Sequence, residues 1–236
     1  MNIRDYFSKL QEKSFSIFAE SLRDEAKLGS MHSYTASIYE LSEVTTDAGE
    51  AEMIRILCSQ LEASCLTAAF GFYRQAMTSL RLAFELGLGV IHFSINKLEF
   101  QEWKGGRCDI VWSKLIDHES GVISKRFVNA FAPELSGEAT GYNERARKAY
   151  RALSQFVHGN NETWLRSGIT IAYDQTVFDE YELLFTEVTE ILAFSFLSRY
   201  IGELDSHKID DIATLTERLV HIDKFREKIG GPGEIK

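Results

Sequence analysis

The chain has 236 residues, 44% of them apolar, with 35 acidic and 26 basic side chains and a formal net charge of −9. That charge excludes a nucleic-acid binder acting through its whole surface, because such proteins carry a basic surplus. Any RNA contact must be a local basic cleft in an acidic chain.

Only two prolines occur, and no Ser/Gly-rich linker appears before residue 229. This predicts one continuous domain over 1–236 with a frayed tail at 230–233. Cys58, Cys65 and Cys108 form no CxxC pair, and the first two fall in a helical apolar pattern, which points to core packing. Unpaired thiols suit a reducing cytosol. The N-terminus lacks the apolar region of a signal peptide, and no apolar run reaches the roughly 18 residues of a membrane span. The expectation is a cytoplasmic protein with no membrane segment.

Taken in order, Ile3, Tyr6, Phe7, Leu10, Ile17, Phe18 and Leu22 predict a helix over 2–28, stopped by Gly29 and Ser30. Residues 31–45 are less regular, with a short helix at 34–41. Thr46 or Asp47 caps a helix from 48 to 70, with Glu50 and Glu52 in its first turn. Gly71 marks a kink or a close packing contact. A helix over 72–94 follows, apolar on nearly all sides and therefore buried between others. Arg74, Arg81 and Glu85 interrupt it. Arg81 and Glu85 are four apart and can pair, either as a satisfied interface ion pair or as support for a functional site.

Residues 96–132 read as a connector with short helices at 98–103, 110–116 and 122–131, ended by Pro133. A helix over 138–158 leads into a loop over 159–175, with a short extended piece at 169–173. Thr176 and Asp179 resemble a capping box for a long helix over 177–204, and an amphipathic helix over 208–229 closes the chain. No segment alternates with period two. The fold class is all-α, a bundle of five or six main helices with its core over about 48–204.

The stretch ERARKAYRALSQFVHGNN, 144–161, carries the chemistry-bearing residues. At 100° per residue, Ala146, Ala149, Tyr150, Leu153 and Val157 form an apolar stripe. Arg147, Arg151, Ser154 and His158 form a second, polar one. Arg151 and His158 are two turns apart, about 10 Å along the axis. Gly159 is a C-terminal stop. No phosphate-binding, metalloprotease, nucleophile-elbow or zinc-type motif is present, so neither metal nor cofactor is expected.

The Arg-x6-His spacing at a helix end, with RALSQFVHGNN at its centre and FYRQAMTSLRLAFE on the preceding helix, resembles the HEPN superfamily, whose hallmark is R-x4–6-H. The resemblance covers about 50–203 and departs at Ala152, where many members carry a polar residue. It implies an HEPN-like up-and-down bundle, here with extra N- and C-terminal helices. It also implies a homodimer in which two such helices face each other across a cleft and act as a metal-independent endoribonuclease, of the kind that serves as a toxin or antiphage effector. Arg151 and His158 would be catalytic, and Arg147, Ser154, Asn160 and Asn161 would contact RNA or phosphate. An antitoxin or regulatory protein is a further implied partner. The alternative is a non-catalytic HEPN-like module that binds a nucleotide, RNA or a protein. The apolar helices 48–94 and 177–200 are the expected dimer surface.

Overall fold

The computed structural model describes residues 2–157 and 171–233. All regular structure among them is helical. The helices are α1 (Ile3–Ser21), α2 (Glu25–Val44), α3 (Ala48–Ala69), α4 (Tyr73–Ile95), α5 (Lys97–Lys104), α6 (Trp112–Leu115), α7 (Lys125–Phe131), α8 (Ala139–Val157), α9 (Gln175–Tyr200), α10 (Ser206–Asp211), α11 (Ala213–Thr216) and α12 (Asp223–Lys228).

Five of them form an up-and-down bundle. Thr35 meets Cys58 and Met31 meets Cys65, so α2 and α3 run antiparallel. Gly71, at φ +80°, turns the chain between α3 and α4, a backbone conformation in which a Cβ is strained. Arg74 contacts Phe156 and Arg81 contacts Tyr150, which makes α4 and α8 antiparallel. Tyr142 stacks on Phe194, at 3.8 Å between centroids, where α8 crosses α9. Ser64 on α3 bonds Tyr181 on α9 at 2.7 Å.

α4 is the centre. It packs against α3, α8 and α9, and thirteen of its residues are buried. Gly87 explains how closely they approach: a Cβ there would lie 2.4 Å from Leu192 of α9 and 3.3 Å from Leu57 of α3. The buried residues form one apolar cluster from Met31 to Phe225, so α2 and the C-terminal turns also build the core.

Several expectations are revised. The helix expected over 2–28 breaks earlier, in a 3-10 turn over Leu22–Asp24, where the buried Ser21 hydroxyl donates to the Ala69 carbonyl at 2.9 Å. α2 instead runs straight through Gly29 and Ser30. A helical glycine costs about 1 kcal/mol, and burial of Met31, Ile38 and Leu41 outweighs it. The cap of α9 is Asp174, which accepts from the Val177 N–H at 3.1 Å, while Asp179 pairs with Lys27 at 2.6 Å.

The helix expected over 208–229 is three short helices and a 3-10 turn, Glu217–Leu219. Its apolar residues Ile212, Leu215, Leu219, Ile222 and Phe225 are all buried. The chain bends to bring each inward. Arg226 holds one bend by donating to the carbonyls of Val220 and Pro232. Pro133 opens a 3-10 turn, Pro133–Leu135, rather than simply ending the connector. Of the piece expected at 169–173, residues 169 and 170 lie outside the described residues, and 171–173 are not in a strand.

Asp47 caps α3 by accepting from Gly49 and Glu50 N–H groups at 2.9 and 3.0 Å. The Lys97 ammonium, then the Glu50 N–H, hold its carboxyl below the usual range. A depressed folded value means the stabilisation is present above the unfolded aspartate value, about 3.9, and is lost as pH falls through the folded one. Asp47→Ala is expected to cost about 1 kcal/mol at pH 7. In urea titrations across pH, the gap between variant and parent should close below about pH 4.

Burial pushes the thiols of Cys58 and Cys65 up to about 12, so neither is nucleophilic near neutrality. A disulfide reagent at pH 8 should label the half-buried Cys108 in the folded protein, and all three cysteines only after unfolding.

Candidate functional site on α8

α8 is held by both flanks, and its polar side chains divide between holding and facing outward. Ala146, Ala149, Leu153 and Phe156 are buried. Val157, expected on the apolar stripe, is instead 39% exposed. Arg145 grips α9, donating to Glu187 at 2.6 and 2.8 Å and to Glu190 at 2.6 Å. This bidentate geometry strengthens a pair that would be weak if monodentate and exposed.

Two candidate phosphate ligands are engaged within the fold. Arg147 donates from Nε to Asn143 Oδ1 at 2.9 Å and from Nη2 to the Ile116 carbonyl at 2.6 Å. Asn143, itself buried, donates to that carbonyl at 3.1 Å. Ile116 ends α6, and its carbonyl is one of the orphan acceptors a helix C-terminus leaves. Arg147 therefore caps α6. The Ser154 hydroxyl donates to the Tyr150 carbonyl at 2.7 Å, a back-bond that uses its proton.

Arg151 is exposed and makes no hydrogen bond or ion pair with any described residue. It projects from the penultimate turn of α8. His158, Asn160 and Asn161 lie outside the described residues.

The Arg81–Glu85 pair is real and larger than the sequence implied. Arg81 donates to Glu85 Oε1 at 3.2 Å and to the Tyr150 hydroxyl at 2.5 Å, and that hydroxyl donates to Glu85 Oε1 at 2.7 Å. The Arg81 guanidinium lies 4.5 Å from the Tyr150 ring centroid. The other ring contact is Trp112, stacked at 3.8 Å and 7°. Burial, then the bond to Glu85, raise the Tyr150 hydroxyl above its usual value. It is a proton donor at neutral pH.

Arg74, one helical repeat of seven before Arg81, donates to the Phe156 carbonyl in the last turn of α8. A cation there suits the negative end of the helix. Burial lowers its pKa below the usual arginine value. Sequence periodicity places Arg74 and Arg81 on one face of α4, and that was the available signal for their shared partner. Trp112 gave no such signal, because its stacking partner is 38 residues away.

No group of three or more His, Cys, Asp or Glu side chains that could hold a metal occurs among the described residues. No described helix is long and apolar enough to cross a membrane. The apolar residues of α3, α4 and α9 expected to meet a second subunit are mostly buried within the chain. Ile56, Leu66, Leu82, Ile95 and Leu183 are the large exposed ones on those helices. A cleft of about 790 Å³ lies at the far end of α4, lined by His92, Glu99, Lys114 and Phe127, away from Arg151. Neither a family model, a curated protein nor a solved structure matches the chain.

Tyr150→Phe keeps the ring stack and the direct Arg81–Glu85 bond, so it should cost about 1 kcal/mol. Arg81→Ala leaves the partly buried Glu85 without its cation and should cost more, about 1.5–3 kcal/mol. Urea unfolding of both variants measures the difference.

Proposed function

We propose that the protein is a metal-independent endoribonuclease of HEPN type, cutting RNA at a site completed by a second copy of the chain. The observation that carries this reading is Arg151. Among the arginines of α8 it alone has no described partner, while Arg145 and Arg147 are committed to Glu187, Glu190 and Ile116. It stands on the turn before the helix runs into His158 in the sequence.

The residue types suit the reaction. Attack of a 2′-oxygen on the adjacent phosphorus forms a 2′,3′-cyclic phosphate and expels the 5′-oxygen. The 2′-hydroxyl must lose a proton and the leaving oxygen must gain one, and histidine titrates in the right range. The phosphorane gains negative charge, and a guanidinium forks onto its oxygens without giving up its proton. Arg151 and His158 are seven residues apart in the sequence, and we pair Arg151 of one subunit with His158 of the other. With Arg147 and Ser154 used internally, RNA contacts fall to Arg151 and to the residues after the helix, Asn160 and Asn161 included. The −9 charge restricts binding to this local edge. A cytoplasmic toxin or antiphage effector, silenced by an antitoxin or regulatory protein, is the cellular role this activity suits.

Arg147 and Ser154 also favour a second reading. Their internal bonds leave Arg151 with few companions, as expected of a module that binds RNA, a nucleotide or a protein without turnover.

RNA incubated with the protein in EDTA should yield fragments ending in 2′,3′-cyclic phosphate. His158→Ala should abolish them with helical circular dichroism intact, and Arg151→Ala should slow cleavage about 10²- to 10³-fold. Light scattering should give twice the chain mass. Cleavage unchanged in His158→Ala sinks the enzyme reading. RNA binding weakened by Arg151→Ala, without cleavage at any pH, selects the binding module.

A further inference from the structure

At the opposite end of the bundle, a cavity of about 220 Å³ lies where the start of α3, the end of α4 and the end of α9 converge. Its lining includes charged side chains withdrawn from solvent. Glu50 is 4% exposed and Arg199 8%. Burying a charge is costly unless it is paired and hydrogen-bonded, so each one raises the question of its partner.

The carboxylates are accounted for. Glu50 accepts from the Tyr200 hydroxyl at 2.6 Å and from the Lys97 ammonium. Asp47 accepts from Lys97 at 2.9 Å and caps α3. Every oxygen of the two carboxylates therefore accepts at least one bond, and neither carboxylate bonds Arg199.

Arg199 is not fully accounted for. Its Nε donates to the Ser94 hydroxyl at 2.8 Å and its Nη1 to Glu203 at 2.5 Å. Glu203 has a 56% exposed side chain, so its charge is well screened by water. The guanidinium is packed between the rings of Phe131 and Tyr200, at 4.8 and 5.0 Å from their centroids. It cannot swing out to solvent without leaving both. Its Nη2 donates to no described residue. Lys208, on the same cavity wall, forms no ion pair with any described residue.

We infer that this cavity is a binding site for a small oxyanion, a phosphate or carboxylate group held between Arg199 Nη2 and Lys208. The guanidinium is fixed with its Nη2 N–H groups unspent, and guanidinium N–H groups make charge-assisted bonds to oxyanions of this kind. A neighbouring ammonium supplies a second charge. The volume holds a group of several heavy atoms, taking about 30 Å³ for each water-sized unit. It is too small for a nucleic-acid strand, and the site is separate from α8.

The test is titration with sodium phosphate and, separately, sodium acetate, against sodium chloride at matched ionic strength. Thermal midpoint is read throughout, and the 31P linewidth in the phosphate arm. At least one oxyanion should raise the midpoint saturably beyond chloride, and the arm that does so identifies the group. Lys208→Ala should weaken the apparent Kd about tenfold, the loss of one charge-assisted bond, whereas the distant, exposed Lys228→Ala should leave it unchanged. Arg199→Lys, which keeps the charge and loses the Nη2 donor, should weaken it as well. Should that variant not fold, Lys208→Ala decides alone. The site is refuted if neither oxyanion exceeds chloride, or if Lys208→Ala titrates like the parent.

Discussion

Three helices meet at Gly87, and the rest of the bundle depends on that contact. A Cβ at this position would stand 2.4 Å from Leu192 and 3.3 Å from Leu57. A bare α-carbon lets α4 approach α9 and α3 without displacing either leucine. Helical glycine forfeits about 1 kcal/mol of propensity. Close packing of Leu57, Leu80, Phe84, Leu88 and Leu192, all with no exposed surface, returns far more, since a fully buried leucine-sized side chain contributes roughly 1.5–3 kcal/mol. With α4 wedged in place, its outward face becomes the bed on which α8 lies.

That bed is polar at intervals. Arg74 reaches the end of α8 and Arg81 reaches its middle, so two guanidiniums hold an antiparallel helix along its length. The Arg81–Glu85 pair alone, at 3.2 Å and part-buried, would be poor value for stability. The Tyr150 hydroxyl alters the balance by serving both partners, with Trp112 stacked on its ring. The cluster reads as structural support. By fixing Tyr150, it fixes the direction in which the next residue, Arg151, projects.

Basic side chains are scarce in this acidic chain, and most of those in the bundle are spent. Arg145 locks α8 to α9, Arg147 caps α6, and Arg226 holds the C-terminal bend. Against that background, two positions matter here. They are Arg151 at one end of the bundle, and the unspent Nη2 of Arg199 with Lys208 at the other. An acidic surface repels polyanions at long range, so both positions suit selective, short-range recognition of oxyanions.

The helical class was legible in the chain because apolar residues recur at 3.6 spacing, and this pattern is local. Helices α3, α4, α5 and α8 lie within a few residues of where periodicity and caps placed them, and the Arg81–Glu85 pair followed from a four-residue spacing. The polar edge of α8 was legible in the same way. Which of its residues stay unspent was not. Arg147 is taken by a carbonyl 31 residues away and Tyr150 by side chains 65 and 69 away, and no local pattern encodes a partner that distant. The same limit hid Arg199 and Glu50, whose charges look like ordinary surface residues until folding brings Ser94 and Tyr200, 105 and 150 positions away, to them. Sequence alone determined that the chain is helical, where most turns fall and which faces are apolar, because those depend on backbone propensity and periodicity. Tertiary structure alone decided the break after Ser21, the bends of the C-terminal segment and which cations remain available, because each depends on groups that only packing brings within reach.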